Sequence, residues 1–432
     1  MNELNNYLHF ISMPDFLTGK ITCIQKGTPK MSDHKSHLPG PLDGIRVLDL
    51  SRILAGPSCT QLLGDYGAEI IKVERPGLGD DTRAWGPPYV KDNDGQDTAE
   101  SAYFLCANRN KLSLALDISN PEGQKTVREL VKSCDILVEN FKVGGLAAFG
   151  LSYDDLKTDN PALIYCSITG FGQTGPNAKL PGYDLLAQGA GGIMSLTGEA
   201  DGEPMKVGVA VADIVCGMYA STAILAALHH RGNTGQGQHI DIALADTQVA
   251  WLANQGSNYL IGGKAPERLG NQHPNIVPYQ VFEVADGHAI VAVGNDTQFS
   301  RFCDILNLGQ LATDPKYKTN DARVKHKSEL IGILAPALKK ISKSDLLSAM
   351  VVASVPGGPI NTIPEVFASD QVAARDMKIH MAHKDTADGI DLIGNPVKFS
   401  KTPVSYRHAP PKCGQHSAEI LNRLAQTQGK IK

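Results

Sequence analysis

The sequence predicts an α/β protein, in which a large domain with a helix-covered parallel sheet is followed by a smaller α+β domain. Between Pro41 and about residue 244, short apolar runs alternate with helical segments, and such alternation is typical of parallel sheets covered on both faces. From about residue 270, closely spaced apolar runs surround Asp286 and Gly287, which is a β-hairpin signal. The chain of 432 residues is long enough for one large or two medium domains.

Each predicted strand of the large domain is a short, nearly uninterrupted apolar run. The helix after the first strand has Pro57 near its start and Gly67 just beyond its end, and Asn120–Pro121 begins the helix after the third strand. The six predicted strands are Ile45–Leu50, Glu69–Glu74, Ser113–Ile118, Asp135–Asn140, Ala162–Gly170 and Gly237–Leu244.

Composition and motifs exclude several classes of protein. The first strand leads into SRILAGPSC, which lacks the GxGxxG of dinucleotide-binding folds, and no GxxxxGK[ST] occurs. The net charge of −4 argues against a nucleic-acid partner. The eight cysteines are scattered, with no CxxC pair, so we expect free thiols, a cytoplasmic location and no structural metal. The paired acids Asp80–Asp81 and Asp154–Asp155 have no histidine nearby and are interpreted as loop and helix-start residues.

One charge stands inside the longest apolar run. Asp213 is the only charged residue between Val207 and Leu228. The run is long enough to span a membrane. Its polar and small residues favour a helix buried inside the protein, and we expect no membrane partner. A buried carboxylate is costly unless something uses or satisfies it, and such groups concentrate at functional sites. The alternative is a helix cap or a carboxylate paired with a distant base.

Changes in composition suggest boundaries along the chain. The first 38 residues lack the apolar core of a signal peptide and the arginines of a presequence. We expect this extension to be disordered or non-native. The segments predicted after it are 39–244 (first part of the large domain), 245–269 (linker), 270–355 (small α+β domain) and 356–432 (linker and return to the large domain).

Long, ordered motifs carry a family resemblance that covers roughly residues 38–425. The sequence resembles class III CoA-transferases, the CaiB/BaiF family. The motifs that carry the resemblance are PLDGIRVLDLSRILAGPSCTQLLGDYGAEIIKVERPGLGDDTRAWGPP, ANRNKLSLALDI, DILVENFKVGGL, CSITGFGQTGP, GYDLLAQGAGGIMSLTG, TGQGQHIDIALAD, VPGGPINTIPEVFASDQVAARDM and GNPVKFSKTP.

The resemblance implies a fold, an assembly and a reaction. It implies a large Rossmann-like domain with a smaller domain, in an interlocked homodimer. The matching position makes Asp213 the nucleophile, which forms a mixed anhydride with the donor acyl group and then an aspartyl-CoA thioester. Coenzyme A enters as acyl-CoA substrate, and no permanently bound cofactor is implied.

Tyr183 separates two branches of the family. Racemases of the family have a histidine in AGHD, where this sequence reads Pro181-Gly182-Tyr183-Asp184. Proton exchange at an α-carbon needs groups that titrate near neutrality, and the reference pKa of tyrosine lies near 10. We therefore favour CoA transfer, with Tyr183 in the site. An α-methylacyl-CoA racemase, an acyl-CoA hydrolase and a non-catalytic CoA-binding protein remain alternatives.

The resemblance also implies binding residues. By motif position, the CoA-binding residues are Ala55, Arg75, Leu116, Asn140 and Phe141. Two basic residues of formyl-CoA transferase fall on Ala148 and Pro181 here, and we expect Arg109, Lys111 or Lys142 to supply the missing charge. For the acid, the predicted contacts are Arg52, Trp85, Gln272 and His273. An arginine at position 52 would suit the far carboxylate of a dicarboxylic acid, with succinyl-CoA as an example of the donor.

Overall fold

The structure is a computed structural model that describes residues 39–429, and the predicted N-terminal extension lies outside the described residues. The strands are β1 (Arg46–Asp49), β2 (Glu69–Glu74), β3 (Tyr89–Lys91), β4 (Asp97–Ser101), β5 (Lys111–Ala115), β6 (Ile136–Glu139), β7 (Ile164–Thr169), β8 (Gln238–Ala243), β9 (Tyr279–Val284), β10 (Gly287–Ala292), β11 (Gly357–Pro359), β12 (Lys378–His383) and β13 (Thr386–Ile393).

The α-helices range from one turn to the 24-residue α6. They are α1 (Ala55–Asp65), α2 (Ala102–Leu105), α3 (Pro121–Val131), α4 (Tyr153–Leu156), α5 (Asp184–Ala190), α6 (Val211–Thr234), α7 (Leu244–Trp251), α8 (Ala253–Gly262), α9 (Asp296–Ile305), α10 (Asn320–Lys325), α11 (Lys327–Leu338), α12 (Lys343–Val352), α13 (Ile363–Ala368), α14 (Asp370–Ala374) and α15 (Ser417–Gly429).

The six predicted strands form one parallel sheet in the order β5-β2-β1-β6-β7-β8, which confirms the predicted fold class. The chain builds outward on one side from β1 and then outward on the other side from β6. The strand order therefore reverses between β1 and β6, and in open α/β sheets ligands bind at the carboxyl ends of the strands at such a point.

The third strand differs from its prediction by its start and its end. β5 begins at Lys111 and ends at Ala115, whereas the apolar run predicted Ser113–Ile118. Lys111 is fully buried. Its ammonium tolerates burial because it lies 3.2 Å from Asp49 Oδ2 and donates to the Pro57 carbonyl at 2.9 Å. A prediction based on apolar runs misses the start of a buried strand when that strand begins with a lysine.

Helices cover both faces of the sheet, and each face has its own apolar core. α1 and α6 pack together over one face, with Cys59, Cys216 and Ile224 among the buried side chains. Val127 of α3 and Ile420 of α15 are buried in the core of the other face.

A separate hydrophobic core forms between Val277 and Val355 around the antiparallel sheet β11-β10-β9. The predicted hairpin is confirmed, since β9 pairs with β10 across Asp286–Gly287, where Gly287 has a φ of 139°. A side chain at that φ would be strained, so glycine suits the turn. This core lies within the predicted 270–355 segment, while the domain boundaries themselves stay predictions.

The end of the chain packs back on the large sheet. The guanidinium of Arg407 donates to the carbonyl groups of Gly64, Gly67 and Ala68, at the end of α1 and in the turn that follows it. Within the described part of the chain, α6 is the one helix that is long and apolar enough to cross a membrane, and 56% of its most apolar window is buried inside the protein.

Candidate active site

Asp213 lies in the first turn of α6 and is 8% exposed. No donor of residues 39–429 forms a hydrogen bond or an ion pair with its carboxylate, so neither the helix-cap nor the ion-pair alternative describes it. Burial, with a smaller contribution from the nearby Asp184 carboxylate, raises the pKa of Asp213 from 3.8 to about 7. The chain therefore maintains an uncompensated carboxylate that ionises near neutral pH, which is the property expected of a reacting group.

A cavity of about 720 Å³ opens beside this carboxylate. It lies at the carboxyl edge of the sheet, next to the point where the strand order reverses. Eight of the predicted site residues line it together: Arg52, Ala55, Trp85, Asn140, Phe141, Lys142, Tyr183 and Asp213. Among its lining residues there is no histidine.

A second cavity of about 280 Å³ adjoins the first. Arg75 and Leu116 line it, and Arg52 and Phe141 line both cavities. Its remaining walls are largely apolar, formed by Leu50, Val73, Ile118 and Phe149. The two cavities together can hold a molecule with a flat, apolar end near Arg75 and a reactive end near Asp213.

Asp81 links the arginines of the two cavities. Its carboxylate accepts from Arg52 Nη1 and from Arg75 Nη2, both at 2.7 Å. Both guanidinium groups are about half exposed. They are therefore held in place without being removed from water.

Asn140 holds the loop that carries Arg52. Its Oδ1 accepts from the Arg52 N–H at 2.9 Å, and its Nδ2 donates to the Arg52 carbonyl at 2.7 Å. The next residue, Ile53, has a φ of 71°, which is strained for a β-branched side chain. Its N–H donates to Asp80 Oδ1 at 3.2 Å. Since both ends of the Asn140 amide are engaged on the loop, its observed role is to shape the site.

Arg109, predicted as a CoA contact, is enclosed within the protein, away from both cavities. Its guanidinium is 4% exposed, donates to Asp65 Oδ1 at 2.9 Å and to the Ile393 carbonyl at 2.8 Å, and lines neither cavity. Lys111 is likewise enclosed, in its case with Asp49. Lys142 is the member of the predicted group that lines the cavity, where Lys179 joins it.

Gln272 and His273 lie on the loop before β9 and line neither cavity. The His273 ring packs on Tyr279 at 5.2 Å between centroids, and its Nδ1 accepts from the Asn275 N–H. Within one described chain, these two residues are therefore not brought to Asp213.

Tyr103 is a neighbour of the site that sequence reasoning missed. Its ring meets the Trp85 ring edge-on at 5.1 Å between centroids. Burial, followed by the Asp213 carboxylate, raises the pKa of the Tyr103 hydroxyl to about 12. Tyr103 lies in α2, far from Asp213 in sequence, and no local pattern marks it. The phenol is therefore a neutral neighbour of the carboxylate.

Comparison with known proteins identifies the family of this chain. The model for "CoA-transferase family III" matches residues 42–417. The chain is 52% identical over 394 residues to the succinate–glutarate CoA-transferase of Agrobacterium fabrum, covering 91% of this chain and 98% of that protein. It is 46% identical to the human succinyl-CoA:glutarate CoA-transferase, with 89% and 86% covered. A succinyl-CoA:mesaconate CoA-transferase of Haloarcula hispanica is 38% identical, with 90% and 98% covered.

A solved structure supports the fold. The crystal structure of a CaiB/BaiF family protein from Brucella suis superposes with a TM-score of 0.79 at 48% identity, covering 89% of this chain and all of that chain. The sequence motifs and the parallel sheet agree with these matches. The chain therefore belongs to CoA-transferase family III and is an enzyme of that family.

Proposed function

We propose that the protein transfers CoA from a succinyl-CoA-like donor to a small dicarboxylic acid such as glutarate, through covalent intermediates on Asp213. The observation that carries this proposal is the buried, unpaired Asp213 carboxylate in a cavity that also contains Arg52. The names of the relatives support the choice of substrates, since two of them act on glutarate and one on mesaconate.

In the proposed reaction, CoA moves from the donor acid to the acceptor acid through intermediates bound to the Asp213 carboxylate. An Asp213 oxygen attacks the thioester carbon of the donor, the C–S bond breaks, and CoA leaves as the thiolate. The thiolate then attacks the Asp213 acyl carbon of the mixed anhydride, and the donor acid leaves as a carboxylate. The acceptor carboxylate attacks the carbonyl carbon of the aspartyl thioester, the C–S bond breaks, and a second anhydride forms as the thiolate leaves. The thiolate then attacks the acceptor acyl carbon, and Asp213 leaves as a free carboxylate. Splitting one transfer into such steps lowers each barrier.

The environment of Asp213 suits a nucleophile. A carboxylate that no donor stabilises retains its negative charge at the oxygens, and its removal from water lowers the cost of bond formation. With a pKa of about 7, a substantial fraction is ionised at neutral pH. Tyr183, which is 64% exposed at the rim of the same cavity, is in position to donate to an acyl or carboxylate oxygen.

We place the adenine end of CoA in the smaller cavity, between its apolar walls and beside Leu116 and Arg75. The acyl end then reaches Asp213 past Ala55 in the larger cavity. Lys142 and Lys179 are exposed on the rim and form no ion pair with a described residue. We assign to them and to Arg75 the neutralisation of the CoA phosphates, in place of Arg109.

Arg52 is the proposed contact for the far carboxylate of the acid. Its Nη1 is paired with Asp81 and its Nε is buried, while its Nη2 forms no hydrogen bond with a described residue. A guanidinium with free donors binds a carboxylate in a planar, two-point arrangement. The larger cavity therefore offers a cationic subsite at a distance from the reacting Asp213.

A screen of free acids at saturating succinyl-CoA tests this assignment, with new CoA esters detected by mass spectrometry. Dicarboxylic acids are expected as acceptors, and succinate release is expected to depend on the acceptor. Arg52→Gln should raise KM for glutarate by about 10–100-fold, the value of a charge-assisted hydrogen bond, and leave monocarboxylic acceptors unchanged. Arg75→Gln is the matched control, since it should raise KM for the CoA ester whichever acid accepts. Equal effects of Arg52→Gln on both classes of acid would exclude the subsite.

We also propose a homodimer, interlocked as the family resemblance implies. Large apolar side chains of α6 and α8 are exposed in the single chain, among them Met218, Tyr219, Leu260 (82%) and Ile261 (90%). Large apolar side chains exposed in such number are normally covered by a partner. Light scattering should give twice the mass of one 46.2 kDa chain. A single-chain mass at all concentrations would contradict the dimer, and recovery with membranes would contradict the predicted cytoplasmic location.

A further inference from the structure

We propose that Asp184 and Gln188 of α5 are positioning residues that hold the start of α6, and with it Asp213, in the reactive geometry. This inference rests on the proposed role of Asp213 as the nucleophile. It concerns the segment from Val207 to Ala212, which leads directly into that residue.

The first turn of α6 has no cap of its own. The N-cap residue is Ala210, which has no side-chain acceptor, and the first N–H groups of any helix need one. The Asp184 carboxylate supplies it from a different helix, since its Oδ1 accepts from the Ala212 N–H at 2.8 Å. Ala212 immediately precedes Asp213, so this bond fixes the peptide that carries the nucleophile.

Gln188 fixes the other end of the same segment. It is fully buried and lies one turn after Asp184 on α5. Its Nε2 donates to Asp184 Oδ2 at 2.8 Å, and its Oε1 accepts from the Val207 N–H at 2.8 Å. The two side chains therefore form one continuous brace that holds residues 207 and 212 at once.

The brace connects the nucleophile to the rest of the site. Asp184 is the first residue of α5 and directly follows Tyr183, which lines the cavity. Asp184 also lines this cavity, where each of its two oxygens already accepts a hydrogen bond from a protein donor. α5 thus sets the relative position of the Tyr183 hydroxyl and the Asp213 carboxylate.

Asp184 also acts on Asp213 through its charge. The like charge adds to burial in raising the pKa of the Asp213 carboxyl. The other titratable groups that face Asp213 are Tyr103 from α2 and Cys216 from its own helix, and the Asp213 charge contributes to raising the pKa of each. Tyr183 lines the same cavity. Removing the Asp184 charge should therefore shift the ionisation of Asp213 to lower pH.

Two substitutions at position 184 separate position from charge. Asp184→Ala removes both the cap and the charge, and we expect kcat to fall about 100-fold, as for a misplacement near 1 Å, with little change in KM for the donor. Asp184→Asn keeps an acceptor for the Ala212 N–H but turns an amide NH2 towards the Gln188 NH2, so it should recover part of kcat. Its profile of kcat/KM against pH should have the acidic limb displaced to lower pH. Gln188→Ala, which leaves the cavity lining intact, should lower kcat in the same direction.

Circular dichroism and thermal melts establish that each variant is folded. The control is Asp345→Asn, at an exposed acid in the first turn of α12, and we expect it to have wild-type activity. An Asp184→Asn enzyme as slow as Asp184→Ala with an unshifted pH profile would overturn the inference, as would losses confined to KM. Asp213→Asn is assayed alongside. If Asp213→Asn is inactive while Asp184→Ala is fully active, the positioning role of Asp184 is refuted and the assignment of Asp213 as the nucleophile is retained. If Asp213→Asn itself is active, both assignments fail.

Discussion

Asp213→Ala is expected to reduce CoA transfer by roughly 10⁴–10⁶-fold, the range observed when an enzyme loses its covalent nucleophile. Alanine cannot form the anhydride or the thioester, and the other acids among the described residues that line the cavity, Asp81 and Asp184, already have partners. Asp184, the nearby acid, is engaged with Ala212 and Gln188. The measurement is the formation of glutaryl-CoA from succinyl-CoA and glutarate, followed by chromatography.

CoA binding should survive this substitution almost unchanged. The cavity beside Arg75 and Leu116 does not include Asp213, so titration calorimetry with CoA should give a similar Kd. Hydroxylamine trapping after donor addition provides an independent check, because it converts an acylated aspartate into a hydroxamate. A trapped adduct on a different residue, or an active Asp213→Ala enzyme, would refute the assignment.

The isosteric Asp213→Asn variant should lose activity and gain free energy of unfolding. The folded protein raises the pKa of the carboxyl from 3.8 to about 7, so the protonated form favours folding. Stability is lost as pH rises from 3.8 through 7, at about 1.4 kcal/mol for each pKa unit. Asparagine avoids this cost, and we expect a gain of about 1–4 kcal/mol at pH 8 and clearly less at pH 5. Equal gains at both pH values would show that the carboxylate charge is not the cause.

The second large effect is expected from Gly217→Ala. Gly217 lies one turn after Asp213 on α6, and a β-carbon built there would be 2.6 Å from the Ala55 carbonyl oxygen of α1. The obstacle is backbone, so the two helices must separate, at a cost of about 1–3 kcal/mol for an overpacked core. Since Ala55 and Asp213 both line the cavity, the same shift should lower kcat about 10–100-fold.

Gly232→Ala is the matched control on the same helix. A β-carbon there has no atom within 4 Å, and alanine is the better helix former by about 1 kcal/mol. We expect unchanged activity and equal or higher stability, measured by thermal melts and the transfer assay. Wild-type kinetics for Gly217→Ala, or similar losses for both variants, would show that the approach of α6 to α1 does not set the site.

The sequence alone determined the fold class and the family, and it marked the candidate nucleophile. Apolar runs and helix boundaries gave the six strands of the parallel sheet, because these signals are local and repeat along the chain. The anomaly of Asp213 inside an apolar helix, with its motif context, marked the nucleophile candidate. Motif positions also named Ala55, Tyr183 and Phe141 as site residues, and in the structure they line one cavity.

Only the tertiary structure decided which of the remaining polar side chains are free to contact a substrate. Arg109 is bound by Asp65, 44 residues away, and Lys111 by Asp49, 62 residues away. Tyr103, Lys179 and the Asp184–Gln188 brace join the site through contacts that no periodicity records. The physical reason is that a side chain's pKa, exposure and freedom to bind depend on distances in space, and in this protein those distances are set by the crossovers of the sheet.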